Sequence, residues 1–249
     1  MGRAKEIIVK VIPAKIANEF VKQHHYSGKV VPNSTLHFGC FLDDKLHGVL
    51  SYGPSINKKG TINLVKGTGW NEFIELNRMA FDDYLPKYSE SRCIAISIKL
   101  IKKNAPQIKW IISFADGTQC GDGTIYRASG FNLVGIAISG QVFDFNGEIV
   151  HGKILWDKSL VKGWTVSDDC MNKLRAKGHK IERLNGFQLK YIYFIDKTKI
   201  KDLSIPILPF SKIDELSAGM YKGQKITLQE RRANLSGEVG SNSNSKLDV

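Results

Sequence analysis

The densest gathering of reactive side-chain types lies in residues 109 to 131, KWIISFADGTQCGDGTIYRASGF. A carboxylate, Asp116, ends an apolar run from Trp110 to Ala115. Thr118, Cys120, Asp122 and Thr124 follow among Gly117, Gly121 and Gly123, with Tyr126 just beyond. A carboxylate can accept a proton and a phenol can donate one. Glycines allow a backbone to approach an anion closely. The apolar run, bounded by turn signals, reads as a strand covered on both faces. A polar loop and a short helix come next, with Tyr126 in the first helical turn. Ligands in open α/β sheets bind beyond the carboxyl ends of strands, so the segment reads as the floor of an active site. The alternative is an ordinary strand-to-helix connection, whose Gly and Asp residues only shape the turn and cap the helix.

Arg78 is the second such residue. Strict alternation along FIELNRMAF places Ile74, Leu76, Arg78 and Ala80 on one face of a strand. A guanidinium in that company is half-buried and requires a carboxylate or an anionic ligand. Asp116 is the natural partner, either as part of a site or as a structural ion pair. His24, His25 and Tyr26 end the first helix, and one of the two histidines must face inward. His25 is then a base, a metal ligand, or a capping or core residue. His37 and Cys40, three apart on a strand, point to opposite faces and make poor co-ligands. Tyr52 ends a hairpin strand where a sheet can splay. Ser97 lies mid-helix, offset from the lysines, facing a pocket or packing as a small residue. No Walker, GxGxxG, HExxH or nucleophile-elbow motif occurs, which argues against common ATPases, dinucleotide enzymes, metalloproteases and α/β-hydrolases.

The positioning elements follow from periodicity. Residues 6 to 12 read as a strand, and Pro13 opens a helix to His25 with Ile16, Phe20 and Val21 inward. Residues 35 to 42 and 45 to 52 read as a hairpin turning at Asp43 and Asp44. Residues 62 to 65 and 73 to 81 read as strands, and 89 to 103 as a helix stopped by Pro106. Further strands are expected over 131 to 156. A helix over Asp168 to Lys177 should be capped by Gly178, and a final strand should run from Leu189 to Asp196. The result is an α/β fold in one domain over residues 1–210, with a flexible, disordered polar tail over 211–249.

The chain has 249 residues and carries 36 Lys and Arg against 24 Asp and Glu, a net +12. That balance favours a polyanionic partner. The tail holds six basic and five acidic residues, so the excess lies on the folded part. Between residues 155 and 203, Lys158, Lys162, Lys173, Arg175, Lys177, Lys180, Arg183 and Lys190 interleave with Trp156, Trp164, Phe187 and Tyr191. This pattern suits phosphate contact with base stacking, or a solvated face over an aromatic core. Four scattered cysteines form no CxxC pair, so neither a disulfide framework nor a zinc cage is expected. Without an apolar run of membrane-spanning length or a secretory leader, the expectation is a cytoplasmic protein with no membrane partner.

HHYSGK after the first helix, HFGCF and HGVLSYG in the hairpin, ELNRMAF, SFADGTQCGDGTIYRASGF and the late KYIYFID and LPF together resemble the Mom family of bacteriophage DNA modification proteins. The resemblance covers roughly residues 5 to 210, and its most specific element is the pairing of ELNR with the downstream AD-x(6)-GTIY string. It implies a GNAT-like acyltransferase architecture, with a central mixed β-sheet flanked by helices. It also implies a transferase that places a carbamoylmethyl (acetamido) group on the exocyclic amine of adenine in double-stranded DNA, shielding it from host restriction endonucleases. The family's functional residues fall on Arg78, Asp116 and Tyr126 and, in less distinctive strings, on His25, Tyr52 and Ser97. The resemblance further implies an association with iron, which a His, Asp and Tyr cluster could hold through hard oxygen and nitrogen ligands, although no spacing here demands a metal.

GNAT proteins that use acetyl-CoA carry a glycine-containing turn after the central strand. Here the equivalent segment is DDYLPKYSES, with no glycine and with Pro86. A close backbone approach to pyrophosphate is hard to build there, which makes acetyl-CoA doubtful as the donor. A small activated group or an aminoacyl-tRNA replaces it in this reading. Gly121, Gly123 and Thr124 then become the segment to contact an anionic donor or a DNA phosphate. A homodimer is among the assemblies this reading allows. The competing functions are an N-acyltransferase of the same fold acting on a small molecule or protein, and a non-catalytic DNA-binding protein.

Overall fold

The computed structural model describes residues 2–117, 122–163, 165–216, 218, 220–221 and 224–225. The chain divides into two compact units, the first of 1–116, 123–137 and 188–209, the second of 117–122, 138–187 and 210–249. The elements in chain order are β1 (Ile8–Val11), α1 (Ala14–His24), β2 (Leu36–Leu42), β3 (Lys45–Gly53), α2 (Lys58–Ile62), β4 (Phe73–Phe81), α3 (Ser89–Asn104), β5 (Trp110–Asp116), α4 (Thr124–Ala128), β6 (Asn132–Phe145), β7 (Glu148–His151), α5 (Gly152–Asp157), α6 (Asp168–Ala176), β8 (Ile181–Phe194), α7 (Ser211–Glu215), β9 (Met220–Tyr221) and β10 (Gln224–Lys225).

The first unit is a mixed sheet flanked by helices, with strand order β1-β2-β3-β4-β5-β8-β6. The pairs β1–β2, β2–β3, β3–β4 and β5–β8 are antiparallel, and β4–β5 is parallel. The two-aspartate turn forms as expected, because Asp43 and Asp44 both take left-handed φ (52° and 59°). One face of the sheet is covered by α1, whose Ala17, Phe20 and Val21 pack with Ile12, Val49 and Ala80. The same face continues under Val65, Phe73, Trp110, Ile112, Ile192 and Phe194, with the Phe73 and Trp110 rings stacked at 4.5 Å. The opposite face meets α3, which buries Cys93, Ile94, Ser97, Ile98 and Ile101.

In the second unit, residues from Val142 to Phe145 on β6 pair with β7. Phe143, Phe145, Val150, Leu155, Val166, Met171, Leu174 and Ile181 form its core. Ser167 caps α6 by accepting from the Cys170 N–H at 3.3 Å, and Gly178 follows the helix at φ +88°.

Several sequence expectations change. Residues 62 to 65 are not a strand. Ile62 ends the short helix α2, and of the residues after it only Val65 makes a bridge, to Leu203. The segment 131 to 156 ends in helix α5 rather than in strand, since the His151 imidazole accepts from the Lys153 N–H and starts a turn. The strand expected from Leu189 begins earlier, at Ile181, and is not the last, since β9 and β10 follow. Most of the tail expectation, 211–249, falls outside the described residues.

Candidate functional site

The site is built around a seam in the first unit. Parallel pairing of β4 with β5 runs from Phe73 opposite Trp110 to Leu76 opposite Ser113 and stops there. The Ser113 hydroxyl donates to the Leu76 carbonyl at 2.7 Å beside that last rung. Beyond it β4 continues to Phe81 against β3, and β5 continues to Asp116 against β8. The two strands therefore part at their carboxyl ends, between β4 and β5 rather than at Tyr52.

A β-bulge decides which side chains line the opening. Ser51 on β3 stands opposite Arg78 while the adjacent Tyr52 stands opposite Leu76, so Asn77 is an extra residue on β4. The bulge shifts the alternation by one. Arg78 shares a face with Glu75, Ser51, Val49 and Ala80, not with Leu76 as strict alternation requires. This is the α1 face. Asp116 lies on the same face, in step with Ile112 along β5.

Arg78 is half-buried as expected, but it is not paired with Asp116. Its Nε donates to the Lys29 carbonyl at 2.9 Å and its Nη1 to the Asn77 carbonyl at 3.0 Å. Two main-chain acceptors thus orient the guanidinium, and among the described residues no contacting carboxylate cancels its charge. That charge is felt on both sides. Burial, then the positive field of Arg78, pushes the His25 imidazole down to about 4. Glu75 is raised by burial, against the lowering effects of the Ser55 hydroxyl and Arg78. The His25 ring is neutral at ordinary pH. Its Nδ1 accepts from the Ser27 N–H at 3.1 Å, so the ring proton resides on Nε2. His25 sits at the C-cap of α1 and offers a donor, not a base, from Nε2. Glu75 is a buried carboxyl beside Arg78 that the sequence reading passed over. Its signal was the spacing in ELNR, hidden by the assumption of unbroken alternation.

The remaining predicted residues lie on the opposite face. The Tyr52 hydroxyl is 2.7 Å from Ser97 Oγ, and Ser97 in turn donates to the Ile94 carbonyl at 2.8 Å. Ser97 has one proton and spends it on that carbonyl, so Tyr52 is the donor in the pair. Both side chains are fully buried, and burial raises the Tyr52 phenol well above the ordinary tyrosine range. Tyr126 stacks on Tyr191 with centroids 5.2 Å apart and meets the Phe131 ring edge-on at 5.4 Å. Its phenol is close enough to influence Tyr52.

Of the glycine loop, Gly121 lies outside the described residues, as do Thr118 and Cys120. Gly123 has φ +68°, and a Cβ there would stand 2.7–2.9 Å from the Tyr191 ring. Gly123 is thus required for backbone conformation and for close packing on Tyr191. Thr124 is half-buried at the first position of α4.

The segment Asp82 to Tyr88, where acetyl-CoA enzymes carry glycine, is bonded both locally and to the β2–β3 hairpin. Tyr88 takes the left-handed conformation (φ 71°) before α3, and the Ser89 hydroxyl donates to the Pro86 carbonyl. The Tyr84 ring stacks on His47 at 4.3 Å and its hydroxyl donates to Asp43 at 2.8 Å.

The set His25, Asp116 and Tyr126 does not fit an iron site, because Tyr126 lies across the sheet from the other two. Among the described residues no group of three or more His, Cys, Asp or Glu converges as a metal cage would require. No described helix is long and apolar enough to cross a membrane. In the basic run of the second unit, three cations are held internally. Lys173 pairs with Asp169 at 2.6 Å, Arg175 donates to the Ile181 carbonyl, and Arg183 bonds Asp168, Val166 and Gly140. Trp164 lies outside the described residues, and Tyr191 is buried in the first unit.

Fold and site define an α/β protein whose mixed sheet opens between two parallel strands over a cationic, half-buried polar cluster. Solved structures similar in fold include a Bacillus subtilis acetyltransferase in complex with CoA, at 9% identity and TM-score 0.43 over 76% of this chain and 99% of that one. Another is a GNAT family acetyltransferase from Elizabethkingia anophelis with acetyl-CoA bound, at 9% identity and TM-score 0.42 over 76% of this chain and 98% of that one. The Mom protein family matches residues 6–212. The chain is 35% identical over 202 residues, 81% of this chain and 80% of the relative, to the methylcarbamoylase Mom of Escherichia phage Mu. The chain belongs to the Mom protein family.

Proposed function

We propose that this protein is a DNA-modifying transferase that places a carbamoylmethyl group on the N6 amine of adenine and so protects the DNA from restriction endonucleases. The observation that carries the reading is the 35% identity, over most of both chains, to a methylcarbamoylase. The adenine amine is a weak nucleophile because its lone pair is delocalised into the ring. An enzyme must orient it, accept a proton from it and stabilise negative charge on the departing carrier. Asp116, at the carboxyl end of β5, orients the amine and accepts its proton as the new N–C bond forms. Arg78 supplies the positive field for the developing charge, its direction set by the Lys29 and Asn77 carbonyls. His25 donates from Nε2 toward the same opening.

Tyr52 and Ser97 act from behind the sheet by fixing β3 against α3, and Tyr126 by fixing α4 on Tyr191. Reaching the amine in duplex DNA requires flipping the base out of the stack, at a few kcal/mol. Gly121 and Thr124 are assigned to an anionic group, a donor or a DNA phosphate, and Gly123 to the packing that places them. The glycine-free Asp82–Tyr88 segment, tied to the β2–β3 hairpin through Tyr84 and Asp82, favours a small activated group or an aminoacyl-tRNA over acetyl-CoA as donor.

The test is to digest DNA from cells expressing the chain and weigh the nucleosides by mass spectrometry. The expected product is a deoxyadenosine heavier by one acetamido substituent. Unmodified nucleosides from cells with abundant folded protein defeat the reading.

A further inference from the structure

Half of the net charge gathers at the end of the sheet opposite the opening. The segments 54–72, 102–109 and 195–204 hold nine lysines, no arginine and three acids, a net +6 out of +12 for the chain. They meet at the amino ends of β4 and β5, where Phe73 stands opposite Trp110. Val65 bridges Leu203, the Lys66 N–H donates to the Asp202 carbonyl at 2.8 Å, and the Ser204 N–H donates to the Leu64 carbonyl at 2.8 Å. The Ser204 hydroxyl donates to the Asn63 carbonyl at 2.9 Å, and the Asn63 amide to the Lys59 carbonyl at 3.3 Å. Lys109 ties in the third segment. Its N–H donates to the Glu72 carbonyl at 2.6 Å, and its own carbonyl accepts from the Ile195 and Asp196 N–H groups. Lys59, Lys66 and Lys201 therefore share one continuous surface, and all three are exposed.

The acids at this end are largely turned to local main-chain groups. Glu72 accepts from the Gly69 N–H at 2.7 Å. Asp196 accepts from the N–H and the hydroxyl of Thr198. Asp202 meets Lys199 at 3.4 Å. The amines of Lys58 and Lys197 lie over the rings of Trp70 and Tyr193, each 4.3 Å from the centroid, which holds them without neutralising them. The basic run of the second unit differs, because Lys173, Arg175 and Arg183 are held there by acids and carbonyls. Lysine is a compact point charge on a flexible stem. A lysine-only surface suits phosphates gripped without reading bases.

Resting on the adenine-modifying reading, we propose that this lysine surface is a clamp for the phosphates of duplex DNA flanking the target adenine. The seven residues of β5, Trp110–Asp116, separate the lysine end from Asp116 by about 20 Å, or about six base pairs of duplex. A duplex laid along the strand direction with its target at the opening reaches the lysines within one helical turn. The contact is electrostatic and independent of sequence, so it adds affinity and lowers its salt tolerance.

The experiment uses the purified full chain and fluorescent duplex pools of random sequence, with binding followed by anisotropy from about 50 to 200 mM salt. On duplexes of about 30 base pairs, Lys59→Ala, Lys66→Ala and Lys201→Ala combined should weaken binding at least about tenfold and lower the log–log salt slope by about 3. Each substitution alone should lower it by about 1, which keeps the test open if the combined variant does not fold. Arginine at the same three positions keeps the charge and should bind as wild type. With clarified bacterial extract supplying the donor, the combined alanine variant should modify the long duplexes about tenfold less. On duplexes of about six base pairs, too short to span both ends, it should match wild type within about twofold. An unchanged slope, an arginine variant as weak as the alanine one, or an equal activity loss at both lengths overturns the assignment. So does a loss confined to transfer RNA used as competitor, which would make the surface an RNA site. Wild type that binds as expected and leaves adenine unmodified defeats the adenine-modifying reading instead.

Discussion

The two faces of the sheet around the β4–β5 opening carry polar groups of different kinds. On the α3 face the Tyr52 and Ser97 hydroxyls are spent inside the fold: Tyr52 donates to Ser97, and Ser97 to the Ile94 carbonyl. Aromatic rings pack around them, Tyr126 on Tyr191 and Phe38 edge-on to Tyr52 at 5.9 Å. On the α1 face the groups remain unbalanced. Among the described residues Arg78 meets no contacting carboxylate, His25 is held neutral, and His37 and Asn77 each bury a nitrogen without a partner. A satisfied network rigidifies a fold, whereas an unsatisfied one costs free energy that a ligand recovers. The same strand, β4, serves both faces, and its bulge is what separates them.

The largest expected effect tests the unbalanced face. Arg78→Ala and Asp116→Ala should each lower adenine modification by at least about a hundredfold, the scale of a lost charge-stabilising group. Melting temperature and DNA affinity should stay close to wild type. Modified nucleoside counts, thermal melts and filter binding measure the three. Full modification by Asp116→Ala would break the contrast between the faces.

The next effect belongs to the satisfied face. Gly123→Ala combines a left-handed backbone with a Cβ driven into Tyr191 and should cost about 2–3 kcal/mol of stability. Chemical denaturation reads it, and a loss under about 0.5 kcal/mol would mean α4 is not anchored as described. Tyr52→Phe removes one buried donor and should cost about 1 kcal/mol while changing activity only a few-fold. A loss of activity as deep as that of Arg78→Ala, without unfolding, would move Tyr52 into the chemistry.

His25 provides a finer test through pH. Its folded-state value is depressed from 6.5 to about 4, so between those values the unfolded chain binds a proton that the folded chain does not. Stability should therefore rise with pH across that window and fall as acid is added. His25→Gln should flatten this dependence, measured by denaturation at pH 4.5, 5.5 and 6.5 (about two pH units suffice to see a slope). The smallest effect is expected at Lys173→Ala, an exposed pair with Asp169 one helical turn away, where the change should be about 0.5 kcal/mol or less.

Much of the site was legible because local chemistry marks it. A lone arginine in an apolar strand, a carboxylate ending a buried strand and a glycine loop before a tyrosine each stand out without a structure. The family strings supplied their grouping. Glu75 and Asn77 were not legible. Each looks like an ordinary strand residue until the bulge and the register put it beside Arg78.

By itself the sequence determined most of the elements and their order, though not α2 or α5, since hydrophobic period, Pro13, Asp43–Asp44 and Gly178 act over a few residues. It also indicated that Arg78 would be half-buried, although the neighbours that share its face are Glu75, Ser51, Val49 and Ala80 rather than the apolar row of strict alternation. Only the tertiary structure decided which face Arg78 takes and what holds it. The slip between Ser51 and Tyr52 is a property of two strands pairing, not of either alone, and a one-residue slip carries every later side chain to the other face. The expected Arg78–Asp116 pair gave way for the same reason: β4 and β5 separate after Leu76 and Ser113, and the Lys29 and Asn77 carbonyls hold the guanidinium instead.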